Sequence, residues 1–166
     1  HSLSRWAAGL CAAVLLAAAA PAAAFGFGDV MQIAGELAGR PYRPRTAALP
    51  EEYRKLTFAQ FQQIRYKPER NLWHRAGTQF EVGLVHMGNA FDHPVTVNEL
   101  SSDGVRRLVF DPEHFDYGGL KLPPLKTGEL AFAGFRVYFP LNDRARKDEV
   151  VAFLGASYFR ALAAGL

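Results

Sequence analysis

The sequence predicts a mainly β protein, an antiparallel sandwich entered through a few short helices. Beyond Ile64 the hydrophobic period changes from about 3.6 residues to 2, in stretches rich in β-branched and aromatic residues. Turn signals separate those stretches: Gly88-Asn89, Asp92-His93-Pro94, Asp103-Gly104, Asp111-Pro112 and Gly118-Gly119. Strands that follow strands at this spacing argue for an antiparallel sandwich over a parallel α/β sheet. Thirteen Phe, six Tyr and two Trp among 166 residues supply the apolar surface for a core, which excludes intrinsic disorder.

The first 24 residues stand apart from that fold. Arg5 is the only charge before Asp29, the stretch from Trp6 to Ala20 is apolar, and Pro21-Ala22-Ala23-Ala24 follows. Positive, apolar and small-residue regions in this order make a secretory signal peptide, with cleavage expected after Ala24. The apolar run is shorter than the roughly 20 residues of a membrane span, so no stable span is expected after cleavage. Leu10 before Cys11, deep in the apolar region, argues against lipoprotein processing. Cys11 is the one cysteine and leaves with the signal, which rules out a disulfide scaffold and a cysteine-built zinc site.

The remaining elements follow in order. Asp29 is read as the N-cap of a helix carrying Val30, Ile33, Ala34 and Leu37 up to Gly39. Pro41, Pro44 and Pro50 hold an extended link. Two helical turns then span Glu51 to Leu56 and Thr57 to Gln63, with Thr57 as the cap of the second and Tyr53, Phe58 and Phe61 as wedges into the core. Strands are expected from Phe80 to His86, Val95 to Leu100, Val105 to Phe110 and Phe135 to Phe139.

Several kinds of chemistry fail on inspection. A formal charge of +3, with basic residues close to acidic ones, gives no electrostatic footprint for nucleic acid. Gly155-Ala156-Ser157-Tyr158-Phe159 begins like a nucleophile elbow, but Phe159 would crowd the turn where a second Gly is needed. His74, His86, His93 and His114 lack the i, i+4 pairing of a metal helix and read as strand or turn residues; no metal or cofactor is expected. Asp111, Glu113, Asp116, Asp143, Asp148 and Glu149 could serve glycoside chemistry, which needs a pair facing across a sugar ring. Asp111 before Pro112 is better explained as turn chemistry, and Asp148-Glu149 as the solvated start of an element. Aromatics are more suggestive, because sugar C–H faces stack on aromatic rings while Arg binds hydroxyls. Trp73, Tyr117, Tyr138, Tyr158 and Arg160 have suitable chemistry, and each also reads as a packing residue.

A set of ordered blocks carries a resemblance. Phe25-Gly26-Phe27 with Leu37-Ala38-Gly39 comes first, then Phe61-Gln62-Gln63-Ile64-Arg65-Tyr66 and Leu72-Trp73-His74. His86-Met87-Gly88 with Phe91 and Pro94-Val95-Thr96-Val97-Asn98-Glu99 follow. The most specific are Phe132-Ala133-Gly134-Phe135-Arg136-Val137 and Leu154-Gly155-Ala156-Ser157-Tyr158-Phe159-Arg160. The chain from Phe25 to Leu166 resembles the N-terminal part of the periplasmic glucan biosynthesis proteins, the OpgG/MdoG family, and is more like OpgG than its relative OpgD.

The resemblance implies the N-terminal portion of a large antiparallel, galactose-mutarotase-like supersandwich, with residues 1–24 as signal peptide and 25–166 as a truncated sandwich domain. It implies a periplasmic protein that binds or processes osmoregulated glucans with a β-1,2-linked glucose backbone. The implied partners are that β-glucan polysaccharide and the membrane glucan synthesis machinery. Two alternatives stay open: an inverting β-1,2-glucanase whose catalytic acids lie beyond residue 166, leaving this part inactive, and a non-catalytic scaffold. No catalytic residue is carried over. Tyr158, Arg160, Trp73 and Tyr117 are the glycan-binding candidates. N-terminal sequencing of the exported protein should begin at Phe25; a mature chain that keeps Trp6 would overturn the cleavage assignment.

Overall fold

A computed structural model describes residues 25–43, 48–155 and 158–164. The expected signal peptide and Ser157 lie outside the described residues. The chain divides into two units, His1–Arg40 and Pro41–Leu166. In the first, helix α1 runs Phe27–Ala38 with Gly26 as its N-cap. Asp29, expected at the cap itself, stands one turn inside, where its Oδ2 accepts the Gly26 N–H at 2.7 Å. A carboxylate in the first turn also meets the positive end of the helix dipole, so this position stabilises the terminus as a true cap would.

The second unit opens with two single turns, α2 (Glu51–Arg54) and α3 (Phe58–Phe61). Thr57 caps α3 as expected: its Oγ1 accepts the Gln60 N–H at 3.2 Å, and Gln60 Oε1 accepts the Thr57 N–H at 2.9 Å. Tyr53 and Phe61 are buried, but Phe58 is 58% exposed, against expectation. So short a helix rolls one aromatic onto the core, and Phe61 takes the place by stacking on Phe91 at 5.3 Å.

Among the described residues eight strands follow: β1 (Arg65–Tyr66), β2 (Glu81–Val85), β3 (Asn98–Ser101), β4 (Gly104–Arg107), β5 (Phe115–Asp116), β6 (Gly134–Phe139), β7 (Asp148–Leu154) and β8 (Tyr158–Ala161). All pairings are antiparallel, in a four-stranded sheet of order β2-β6-β7-β8 and two small pairs, β1-β5 and β3-β4. The mainly β, antiparallel architecture agrees with the sequence expectation and suits part of a β-sandwich. Two expected strands are shorter than their alternation suggested. Val95 makes only a lone bridge to Phe132, and Val97 lends its carbonyl to the Leu108 N–H. β4 ends at Arg107, with one further bond at Leu108, and Leu108 and Phe110 are buried in the core.

Register assigns the two faces of the large sheet, since cross-strand partners share a face. Val82 and Leu84 pair with Val137 and Phe135 on one face. Farther across that face the rings of Phe135, Phe153 and Phe159 form a ladder, with centroids 5.0 and 6.2 Å apart, that grows more exposed towards β8. Glu81 and Gly83 pair with Tyr138 and Arg136 on the other. A register shift between Val137 and Tyr138 makes β7 carry one extra residue there, a β-bulge. Gly134 opens β6 with φ 152, and a Cβ at this point would overlap the Phe153 carbonyl. Only glycine permits β7 to pass so close.

The core gathers around His86, which is 1% exposed. Its ring stacks on Tyr53 at 5.3 Å and meets the edges of Phe110, Phe115 and Tyr117. Nδ1 lies against the Met87 carbonyl, an acceptor, so Nδ1 carries the proton and donates. Nε2 then accepts the Tyr117 hydroxyl at 3.2 Å. Burial disfavours the imidazolium and lowers the pKa to about 4, against a weaker opposing contribution from the Met87 carbonyl. The unfolded chain therefore binds a proton near pH 6.5 that the folded chain refuses until about pH 4. Stability from this group is complete above pH 6.5 and falls as the pH drops towards 4, by about 3 kcal/mol. Urea unfolding as a function of pH should show that loss, and His86→Gln should flatten this part of the profile; an unchanged slope would refute the buried neutral imidazole.

Candidate functional site

The polar face of the large sheet is built on a missing side chain. A Cβ on Gly83 would come within 3.0 Å of both Asn71 Oδ1 and Tyr138 Cε2. With none there, the Tyr138 ring and the Asn71 amide lie close over β2. Beside them Glu81 is only 6% exposed. Three donors converge on its carboxylate: Asn71 Nδ2 at 2.9 Å, His74 Nδ1 at 2.9 Å and Lys147 Nζ at 2.6 Å. Burial alone would raise the Glu81 pKa, but the bonds from Asn71, Lys147 and His74 outweigh it and hold the group below its ordinary value. Glu81 is thus a fixed anion, its lone pairs occupied, and it orients Asn71 and His74 rather than exchanging protons.

Those two residues border an open cleft of about 490 Å³, lined by Glu69, Arg70, Asn71, Trp73, His74 and Arg75 among others. Leu72 anchors this segment by bridging to Val82. Trp73 follows in the left-handed region at φ 64, costly for a bulky residue by about 1–3 kcal/mol. Turn bonds from His74 N–H to Asn71 O and from Ala76 N–H to Trp73 O hold the backbone there. The indole is 44% exposed, and its Nε1–H donates to Glu99 Oε1 at 3.0 Å. An aromatic plane at a cleft rimmed by an amide, an imidazole and guanidinium groups can stack on an apolar ring face and bind hydroxyls at its edge.

Farther across the same face, two guanidinium groups share one carboxylate. Arg160 Nη2 lies 2.5 Å from Glu149 Oε1, and Arg136 Nε lies 3.3 Å from Glu149 Oε2 without the alignment of a hydrogen bond. Arg136 also neighbours Tyr138, whose hydroxyl burial pushes up in pKa despite the nearby guanidinium. Tyr158 stands two residues from Arg160 on β8, on the same face, and is 48% exposed. Strand spacing puts β8 about 15 Å from β2. Of the sequence candidates, Tyr158 and Arg160 share a face of the sheet, and Trp73 lines the cleft with Asn71 and His74, which reach Glu81 on β2. Tyr117 does not join them: its hydroxyl is bound to His86, and it lines a separate cleft with Tyr53, Lys67 and Leu122.

The carboxylates weighed for glycoside chemistry serve mostly as turn acceptors. Asp111 accepts the Glu113 N–H, Asp116 the Gly118 N–H and Asp143 the Ala145 N–H, as turn chemistry predicts. Glu81, Lys147 and Glu99 were not singled out from the sequence. Glu81 falls on the polar side of an alternating strand, and nothing local announces that Asn71, His74 and Lys147 will cover it. Lys147→Ala, which leaves that carboxylate with two neutral or weak donors, should destabilise the protein by about 2 kcal/mol. Lys55→Ala, breaking an i, i+4 pair whose side chains are both 72% exposed, should cost less than about 0.5 kcal/mol. Equal losses in denaturant melts would contradict the burial argument.

Comparison with known proteins places the chain in a family. A family profile described as "Periplasmic glucan biosynthesis protein, MdoG" matches residues 25–166. Curated relatives include "Glucans biosynthesis protein G" of Ralstonia nicotianae, 46% identical over 150 residues, covering 90% of this chain and 30% of the relative. The protein of the same description from Pseudomonas paraeruginosa is 42% identical over 147 residues, covering 89% of this chain and 28% of that one. The one from Pectobacterium atrosepticum is 39% identical over 162 residues, covering 97% and 30%. This chain therefore spans about 30% of the length of these relatives. With a profile match from Phe25 to the last residue, the chain belongs to the family of periplasmic glucan biosynthesis proteins, MdoG.

Proposed function

We propose that this chain serves osmoregulated periplasmic glucan biosynthesis, and that its large sheet binds a glucan with a β-1,2-linked glucose backbone on the face carrying Trp73, Tyr158 and Arg160. Family membership supplies the biological setting, the periplasm included. The observation that carries the binding reading is the exposed Trp73 indole, fixed beside a polar cleft in a backbone conformation that a purely packing tryptophan does not need. A hexose offers it a C–H face, while Asn71, His74 and Arg70 offer partners to the hydroxyls. At the other side of the face, Tyr158 offers a second exposed ring and Arg160 a donor fork already oriented by Glu149. Residues 1–24 act as the export signal, and residues 25–166 form part of the glucan-binding sandwich domain. Among the described residues no helix is long and apolar enough to cross a membrane. The membrane glucan synthesis machinery is the proposed source of the polymer.

Isothermal calorimetry with linear β-1,2-glucan tests the reading. Trp73→Ala should weaken binding about tenfold or more, and Tyr158→Ala and Arg160→Ala each severalfold. Unchanged affinity in well-folded variants at both sides of the sheet would reject this face as the binding surface.

A further inference from the structure

The Trp73 indole is held from outside the segment that carries it. β3 and β4 form their own two-stranded hairpin, apart from the four-stranded sheet. Glu99 in β3 and Arg106 in β4 are cross-strand partners, and the Arg106 guanidinium binds Glu99 Oε2. The other oxygen, Oε1, takes the Trp73 Nε1–H from 26 residues away. One carboxylate is therefore aimed by its strand neighbour and spent on the indole edge. An indole has a single hydrogen-bond donor, in the ring plane. A bond to that donor fixes the tilt of the ring and leaves both π faces open, as a stacking platform requires. The left-handed backbone at Trp73 places the side chain, and the hairpin sets its orientation.

We infer that Glu99 is a positioning residue that presents Trp73 as a stacking platform for one hexose ring of the glucan; this rests on the glucan-binding reading above. Its role is indirect: it acts through the indole, and the β3–β4 hairpin becomes part of the binding apparatus through this one contact. Arg106 supports it by holding the carboxylate rotamer.

Tryptophan fluorescence tests the inference apart from glucan binding. The chain has two tryptophans, Trp6 and Trp73, so the difference between wild type and Trp73→Phe isolates the signal of Trp73. In the full chain without glucan, Glu99→Ala should raise acrylamide quenching of Trp73 at least twofold. Glu99→Asp, which keeps the charge but withdraws the oxygen by one methylene, should do the same. Glu99→Gln, whose amide oxygen still accepts, should stay near wild type. Affinity for linear β-1,2-glucan should follow the same order, falling about tenfold for Ala and Asp and within twofold for Gln. Leu100→Ala, an exposed change on the same strand, should move neither reading. Unchanged quenching in Glu99→Ala or Glu99→Asp overturns the inference whatever the glucan does. Raised quenching with unchanged affinity overturns it as well, as does an equal affinity loss in Leu100→Ala. Failure of the wild-type protein to bind the glucan overturns this inference and the underlying reading together.

Discussion

A carboxylate buried at the start of an edge strand is expensive, and the polar face of this protein is organised around meeting that expense. Glu81 sits on β2, every residue of which is buried. Removing it from water would drive it neutral unless donors replace the lost hydration. Asn71, His74 and Lys147 do so from two different segments of the chain, the turn before β2 and the approach to β7. Holding the charge therefore also fixes the turn that carries Trp73, and with it one wall of the cleft. Electrostatic satisfaction and site geometry are here the same set of hydrogen bonds.

The core solves a related problem in the opposite way. His86 is as deeply buried as Glu81, but its neighbours are Tyr53, Phe110, Phe115 and Tyr117, and a backbone carbonyl and a phenol are its hydrogen-bond partners. None of these compensates a positive charge, so the ring stays neutral and behaves as an aromatic with two polar atoms. The Tyr53 hydroxyl donates to the Pro123 carbonyl at 2.8 Å, which ties the long segment between β5 and β6 onto the same core. The contrast follows from partners. Glu81 has a lysine within reach, whereas His86 has only neutral groups.

The two faces of the large sheet divide labour accordingly. One is apolar and ends in the Phe135–Phe153–Phe159 ladder, the kind of surface that sandwiches bury against a second sheet. The other carries ion pairs and aromatics, with Arg136 and Arg160 gathered on Glu149 and Tyr158 beside them. The pairing leaves Arg160 donors to spare, because a guanidinium has five and Glu149 engages few of them.

How much of this was legible in the sequence depends on the range of the interaction responsible. Period-2 alternation between Phe80 and His86 and between Phe135 and Phe139 located β2 and β6, and Thr57 announced the cap of α3, because each signal lies within a few residues. The two-residue strands β1 and β5 escaped because so short a pairing has no period, and of β7 only the start at Asp148-Glu149 was read. In β7, moreover, a bulge breaks the alternation. Trp73, Tyr158 and Arg160 were recognisable as sugar-compatible chemistry from residue type alone. Only the tertiary structure decided that Tyr158 and Arg160 share a face with Glu81 while Tyr117 is turned to His86, since a side chain's face depends on register with partners far along the chain. Phe58 stayed outside and Glu81 went inside for the same reason. The sequence states what a residue would prefer, and long-range packing settles how many preferences can be met at once.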